Sequence, residues 1–255
     1  MKMKIVNLIK ILGFVAVFTL GACNSENLQE TNLQDESMNF NYSQNDDFAQ
    51  QMDCLDSIPL GDLTDKEIQG LLFMREEEKL AHDVYIVFFE KYNRRIFKNI
   101  ARSEQKHTNA VLRLINRYEL TDPVSTNDIG VFVNQDLQDL YDALIAKGNN
   151  SLIDALAVGA EIEEVDILDL KRWMADIVEN DDLLFVYNNL LRGSRNHLRA
   201  FNRNLENLNI VYVPQHLDQA DYDLIVNSRN ERGNGHRSGN DNRGNRGHRG
   251  NRGGK

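Results

Sequence analysis

The chain has 255 residues, 41% hydrophobic and 27% charged, with a net charge of −10 and only two cysteines. That length suggests one domain with appendages, and so few cysteines exclude a disulfide-framed fold. Residues 229–255 hold seven Arg and Lys255 against Glu231 and Asp241, or +6; the leader's three lysines add +3, leaving −19 on the rest, which repels nucleic acid and suits metal cations.

Lys2, Lys4 and Lys10 precede an uncharged run from Ile11 to Ala22. The run is shorter than the roughly 20 apolar residues of a membrane span, so it reads as an export signal. It ends in Leu20-Gly21-Ala22-Cys23, which resembles the bacterial lipobox. The resemblance implies that residues 1–22 are removed, that Cys23 is lipidated, and that the protein is exported and held on a membrane of the cell envelope. An ordinary cleaved signal with a chance cysteine is the alternative. Acylation would consume one of the two cysteines, so packing must hold the core. Residues 23–58, rich in Asn, Gln, Asp, Glu and Ser, read as a disordered spacer, and 229–255, rich in Arg, Gly and Asn, as a disordered tail.

Between them, residues 59–228 show helical periodicity without strand alternation. Thr64 and Glu67 are spaced as a capping box, with Leu63 and Ile68 as a hydrophobic staple. A first long helix then carries the seam Leu71, Met74, Glu78, Ala81, Tyr85, Phe88 and Tyr92. After a break near Asn93 to Arg95, a second carries Phe97, Ile100, Glu104, His107, Val111, Leu114 and Tyr118. A long connection from Glu119 to Asn150 contains a short amphipathic helix around Leu137 to Ala146, ending at Gly148. Ser151 with Asp154 opens a third long helix, with the seam Leu152, Leu156, Gly159, Glu163, Asp166, Leu170, Trp173 and Ile177. Asn180 or Asp181 caps a fourth, with Leu183, Tyr187, Leu190, Ser194, His197 and Phe201, continuing near Leu205 and Leu208.

Each seam is polar at its middle, and an ionised carboxylate in a dry helical interior costs several kcal/mol unless something compensates it. A metal would. Glu104 and His107, at i and i+3, face one way, a spacing that helical proteins use for di-iron or di-manganese carboxylate sites. Chance supplies Glu-x-x-His often, and the alternative is a solvated helix face or a hydrogen-bonded polar layer. Its weight comes from Glu78, Glu163, Asp166 and His197 at comparable depth on the other three seams. Glu77 lies on an adjacent stripe with Phe73, Leu80 and Val84. The chain shows no Gly-rich phosphate loop and no catalytic cysteine arrangement.

The segments Met74-Arg-Glu-Glu-Glu-Lys-Leu-Ala-His-Asp-Val-Tyr85, Ser103-Glu-Gln-Lys-His107 and Gly193-Ser-Arg-Asn-His-Leu-Arg-Ala-Phe201 resemble an uncharacterised branch of the ferritin-like superfamily. Glu78 to Tyr85 also looks like the first helix of rubrerythrin-type proteins, and Glu163-x-x-Asp166 like their third-helix carboxylates. The resemblance implies an all-α, ferritin-like four-helix bundle, with a long crossover between the second and third helices. It also implies a di-metal centre of iron or manganese among Glu78, Glu104, His107, Glu163 and His197, with Asp166 in addition, and the family register favours Glu78 over Glu77. Ferritin-like relatives often form homo-oligomers. The chain departs at Ser194, where the superfamily carries a glutamate ahead of the histidine. A hydroxyl is a poorer ligand for a hard cation, so either Asp166 compensates, or the site holds one metal, or it has decayed. Around these ligands His82, Tyr85, Ser194 and Arg195 are candidate outer partners.

The expected function is a lipid-anchored metal-binding protein whose carboxylate/histidine site reacts with oxygen or peroxide. Two other readings stand beside it: a non-catalytic helical interaction module with a degenerate site, and sequestration of metal at the envelope.

Overall fold

A computed structural model describes residues 54–176 and 180–232; the leader, Cys23, most of the spacer and tail, and the seam position Ile177 lie outside them. A short 3-10 turn, Leu55–Ser57, precedes six α-helices among the described residues: α1 (Asp65–Tyr92), α2 (Arg95–Arg117), α3 (Gln135–Gly148), α4 (Leu152–Asp176), α5 (Asp181–Glu206) and α6 (Gln219–Val226). Those residues contain no strand, and none of their helices is long and apolar enough to cross a membrane.

The capping box forms as its spacing predicts. The Glu67 amide donates to Thr64 Oγ1 at 3.2 Å and the Thr64 amide to Glu67 Oε2 at 2.9 Å, a start signal contributing about 1 kcal/mol. At the other end Asn93 adopts the left-handed conformation with φ 48° and bonds back to Phe89 O, a geometry asparagine tolerates. The chain therefore reverses within two residues, and α1 packs along α2. Helices α4 and α5 form the second long pair, α2 faces α5, and α1 faces α4. Crossover helix α3 packs on α1 and α4, and α6 on α5. The Tyr85, Phe88, Phe97 and Phe201 rings fill one end of the interior with centroids 5.3–6.5 Å apart.

All five residues of the charged run Arg75-Glu-Glu-Glu-Lys79 are buried. The crossover explains three of them. Arg75 pairs with Asp122 at 3.0 Å; Glu76 accepts the Val133 and Asn134 amides at 2.5 and 3.1 Å; Lys79 reaches Asp83 at 2.5 Å and Asp128 O at 2.9 Å. The outer face of α1 thus clamps the connecting segment, and its inner face remains for the seam.

Several boundaries differ from the sequence expectation. Helix α3 is longer than Leu137 to Ala146 because Asn134 caps it through the Asp136 amide. Asn180 occupies the N-cap of α5, but its side chain donates to Asp62 O and Glu67 Oε1, both at 3.0 Å, fastening α5 to the start of α1. Helix α5 stops at Glu206 because Asn209 turns the chain at φ 59°, which leaves Leu208 exposed. Helix α6 was not foreseen; Asp218 caps it through the Asp221 amide at 2.7 Å. Packing also reaches beyond 59–228. Leu55 is buried, and Glu231 binds Arg195 and Arg199, both at 2.7 Å.

Candidate metal centre

The middle of each seam converges at one level. Glu78 comes from α1, Glu104 and His107 from α2, Glu163 and Asp166 from α4, Ser194 and His197 from α5, and all are buried. Glu104 stands between the two imidazoles: its Oε2 is 2.7 Å from His107 Nδ1 and its Oε1 is 2.7 Å from His197 Nδ1. His107 Nδ1 is also 3.2 Å from Glu78 Oε2, and His197 Nδ1 is 3.4 Å from Glu163 Oε2. The imidazole rings lie 5.5 Å apart. Two triads result, Glu78-Glu104-His107 and Glu104-Glu163-His197, each with ligand atoms within 4.8 Å of one another.

Other buried carboxylates of this fold show how the chain neutralises one for structural ends. Glu164 accepts the Tyr212 hydroxyl at 2.6 Å and the Gln215, His216 and Leu217 amides at 3.0, 2.7 and 2.8 Å, which pins the segment between α5 and α6 onto α4. The centre is different. Its carboxylates meet the two histidines, the hydroxyls of Tyr85 and Ser194, and one another at Glu78 and Glu104. Glu78 Oε1, Glu104 Oε1, Asp166 Oδ1 and His197 Nδ1 make no hydrogen bond at all. Glu104 Oε1 and His197 Nδ1 are close yet misaligned for a hydrogen bond.

The electrostatics agree. Burial lifts Glu78 to about 7 although His107 opposes it. Burial also raises Glu163, and raises Asp166 well above the usual carboxylate range, with Glu78 and Glu163 adding to the latter. Burial would raise Glu104 too, but His197 and His107 outweigh it and hold Glu104 far below that range. For the histidines burial favours the neutral ring, yet Glu104 and Glu163 lift His197 to about 10, and Glu104 and Glu78 lift His107 well above its ordinary value. Protons are therefore the positive charge that this site holds in the absence of metal. The donor set of hard oxygens and imidazole nitrogens fits iron or manganese. Ionised, Glu78, Glu104, Glu163 and Asp166 carry −4, the charge that two divalent cations balance.

Tyr85 donates to Glu163 Oε1 at 2.6 Å and Gly159 O at 3.2 Å, and burial followed by Glu163 keeps its hydroxyl protonated. It holds one ligand in place, so Tyr85→Phe is expected to weaken metal binding about 10-fold, measured by competition with a chelator. Ser194 donates to Asp166, so the hydroxyl at the expected glutamate position orients a carboxylate from the neighbouring helix. Gly193, just before it, was not singled out by sequence reasoning. A Cβ there would lie 2.5 Å from His107 Cε1 and Nε2, so the close approach of α5 to this imidazole requires glycine. His82 and Arg195 are not brought to the centre. His82 Nδ1 lies 2.8 Å from Asp83 Oδ1, beside the crossover, and Arg195 pairs with Glu231 because the C-terminal segment supplies the nearer acid. Glu77 is buried as well, although it lies off the seam; a helix enclosed on both sides has no solvated face to give it.

A family model described as "Uncharacterized protein domain (DUF2202)" matches residues 67–229. The uncharacterized protein MJ0754 of Methanocaldococcus jannaschii is 47% identical over 182 residues, which covers 71% of this chain and 98% of the relative. A crystal structure of the hypothetical protein MJ0754 from Methanococcus jannaschii matches with a TM-score of 0.67 at 47% identity, covering 68% of this chain and 99% of that one.

Proposed function

The chain belongs to the DUF2202 family, and we propose that it is a metal-binding protein of ferritin-like architecture whose paired triads hold two cations, iron or manganese. The observation that carries this reading is Glu104, a buried carboxylate between two imidazoles with one oxygen that no hydrogen bond satisfies. Glu104 would bridge; Glu78 with His107 would complete one position and Glu163 with His197 the other, with Asp166 supplying the fourth charge. Two long helix pairs joined by the crossover, with Glu-x-x-His on α2, support the ferritin-like assignment. When bound, such a metal pair would supply redox chemistry toward oxygen or peroxide. The protein's own part is to hold neutral imidazole nitrogens and ionised carboxylates in place, to steady Glu163 through Tyr85, and to close one end of the site with the aromatic cluster. Lipidation at Cys23 would place this chemistry at the cell envelope.

Metal analysis of the purified full chain after reconstitution with ferrous or manganous ion tests the reading. About two ions per chain are expected. None bound, with an unchanged melting temperature, rejects it, and many ions per chain would favour sequestration. Ser194 favours a second reading, a helical module whose site has lost redox activity because a carboxylate is missing from α5. That module would consume no peroxide beyond buffer controls; turnover that disappears in His107→Ala excludes it.

A further inference from the structure

Beside the centre, between α1, α3 and α4, lies a narrow cavity of about 30 Å³, partly open to solvent. Its polar lining is Glu77, Glu78, Asp166, Glu161 and His216, and Leu140 and Leu144 of α3 wall it on the crossover side. His216 and Glu161 are the more exposed of these polar residues; His216 Nε2 sits 3.5 Å from Glu161 Oε1 without a hydrogen bond, and Lys147 pairs with the other Glu161 oxygen at 2.5 Å. Glu78, a member of the first triad, lines the cavity too. Glu77 and Asp166, each only 7% exposed, have Oε2 and Oδ1 respectively without any hydrogen-bond partner. Glu77 belongs to neither triad. Backbone amides satisfy Glu164 and Glu76, whereas Glu77 shares a side-chain hydrogen bond with another acid, Asp169, lies beside Asp166 and Glu78, and keeps its Oε2 unpaired.

Two unsatisfied buried carboxylate oxygens share one cavity with a part-exposed histidine/glutamate pair and with Glu78 of the first triad, so its cation ligands range from part-exposed to fully buried. We propose that this cavity is the loading port for divalent cations, with Glu77 handing them from the His216–Glu161 mouth to Asp166 and Glu78 at the edge of the centre. The proposal rests on the metal-binding reading above and adds to it a route and a residue, Glu77. Oxygen ligands of negative charge select hard divalent ions, and a site with too few ligands to retain them passes them on. The apolar walls supply no competing polar contacts along the way.

Stopped-flow uptake of Co²⁺ by the chelator-stripped full chain, followed by visible absorption, tests this on wild type, Glu77→Gln and the mouth variant Glu161→Gln/His216→Ala. Glu77→Gln is expected to load at least about tenfold more slowly and to reach the same final cobalt content. The mouth variant, whose side chains are partly exposed, should also load slowly, and it decides the matter alone if Glu77→Gln does not fold. Wild-type loading rates in the variants overturn the port and leave the metal-binding reading standing. Loss of cobalt at the endpoint in Glu77→Gln would make Glu77 a resident ligand and overturn the transfer role. A wild-type chain that takes up no cobalt at all overturns both readings.

Discussion

Glu104→Ala is expected to leave the protein without bound metal, whereas Glu78→Ala and Glu163→Ala each retain about one ion per chain. The asymmetry follows from the geometry. Glu104 is the sole residue common to both triads, with one oxygen toward each histidine, while Glu78 and Glu163 serve one triad apiece. Removing one member of a buried charge pair costs about 3–5 kcal/mol, or roughly 100- to 1,000-fold or more in affinity, and Glu104 imposes that loss on both positions together.

Thermal unfolding provides the second readout. Ion at 100 times its dissociation constant stabilises a folded chain by about 2.7 kcal/mol, which for a domain of this size raises the melting temperature by roughly 5–10 °C. That rise should appear in wild type, persist in part in Glu78→Ala and Glu163→Ala, and vanish in Glu104→Ala. Glu104→Gln separates charge from shape: the amide fills the same space and still accepts a hydrogen bond, yet supplies no anion, so it too should bind no metal. A Glu104→Ala protein that holds as many ions as wild type would show that the two triads do not share a bridging ligand.

Much of this centre was legible in the sequence because it depends on local periodicity. Glu104 and His107 share a face by helical geometry alone, and steps of three and four put Glu78, Glu163 and His197 at the same depth on seams otherwise apolar. The Thr64 capping box was equally local. What stayed hidden depends on contacts between distant segments. His82 follows Glu78 by one turn, but the crossover brings Gly130 to Asp83 at 2.9 Å, and His82 is taken up by that anchorage. Arg195 flanks His197, yet its partner is 36 residues away at Glu231. The burial of Arg75, Glu76 and Lys79 required knowledge of where residues 122–134 return, which no periodicity carries. The need for glycine at 193 arises from the His107 imidazole of another helix, so only the folded pair reveals it.

Metal affinity is expected to fall steeply as pH falls, with at least two protons released when the centre fills. In the metal-free centre the carboxylates lift both histidines, His197 to about 10, so both rings are protonated at neutral pH. A cation binds only the neutral ring nitrogen, hence filling the two positions displaces both protons, and the overall binding constant drops about 100-fold for each unit of acidification. Below about pH 7 the slope steepens, because Glu78, pushed up to about 7, then holds a further proton that must also leave. The metal-free fold shows the opposite trend. His107, His197 and Glu78 all have folded values above their unfolded ones, so their contribution is complete below the unfolded values and is lost as pH rises through the folded ones: through about 7 for Glu78 and about 10 for His197. Glu104 runs the other way, but its loss lies at far more acid pH. Raising the pH from 6 to 8 should therefore lower the melting temperature of the metal-free protein and widen the gap to the metal-loaded form. Calorimetric titration in buffers of different ionisation enthalpy counts the released protons directly, and fewer than one proton per bound ion would mean that the histidines are not the groups the metal displaces.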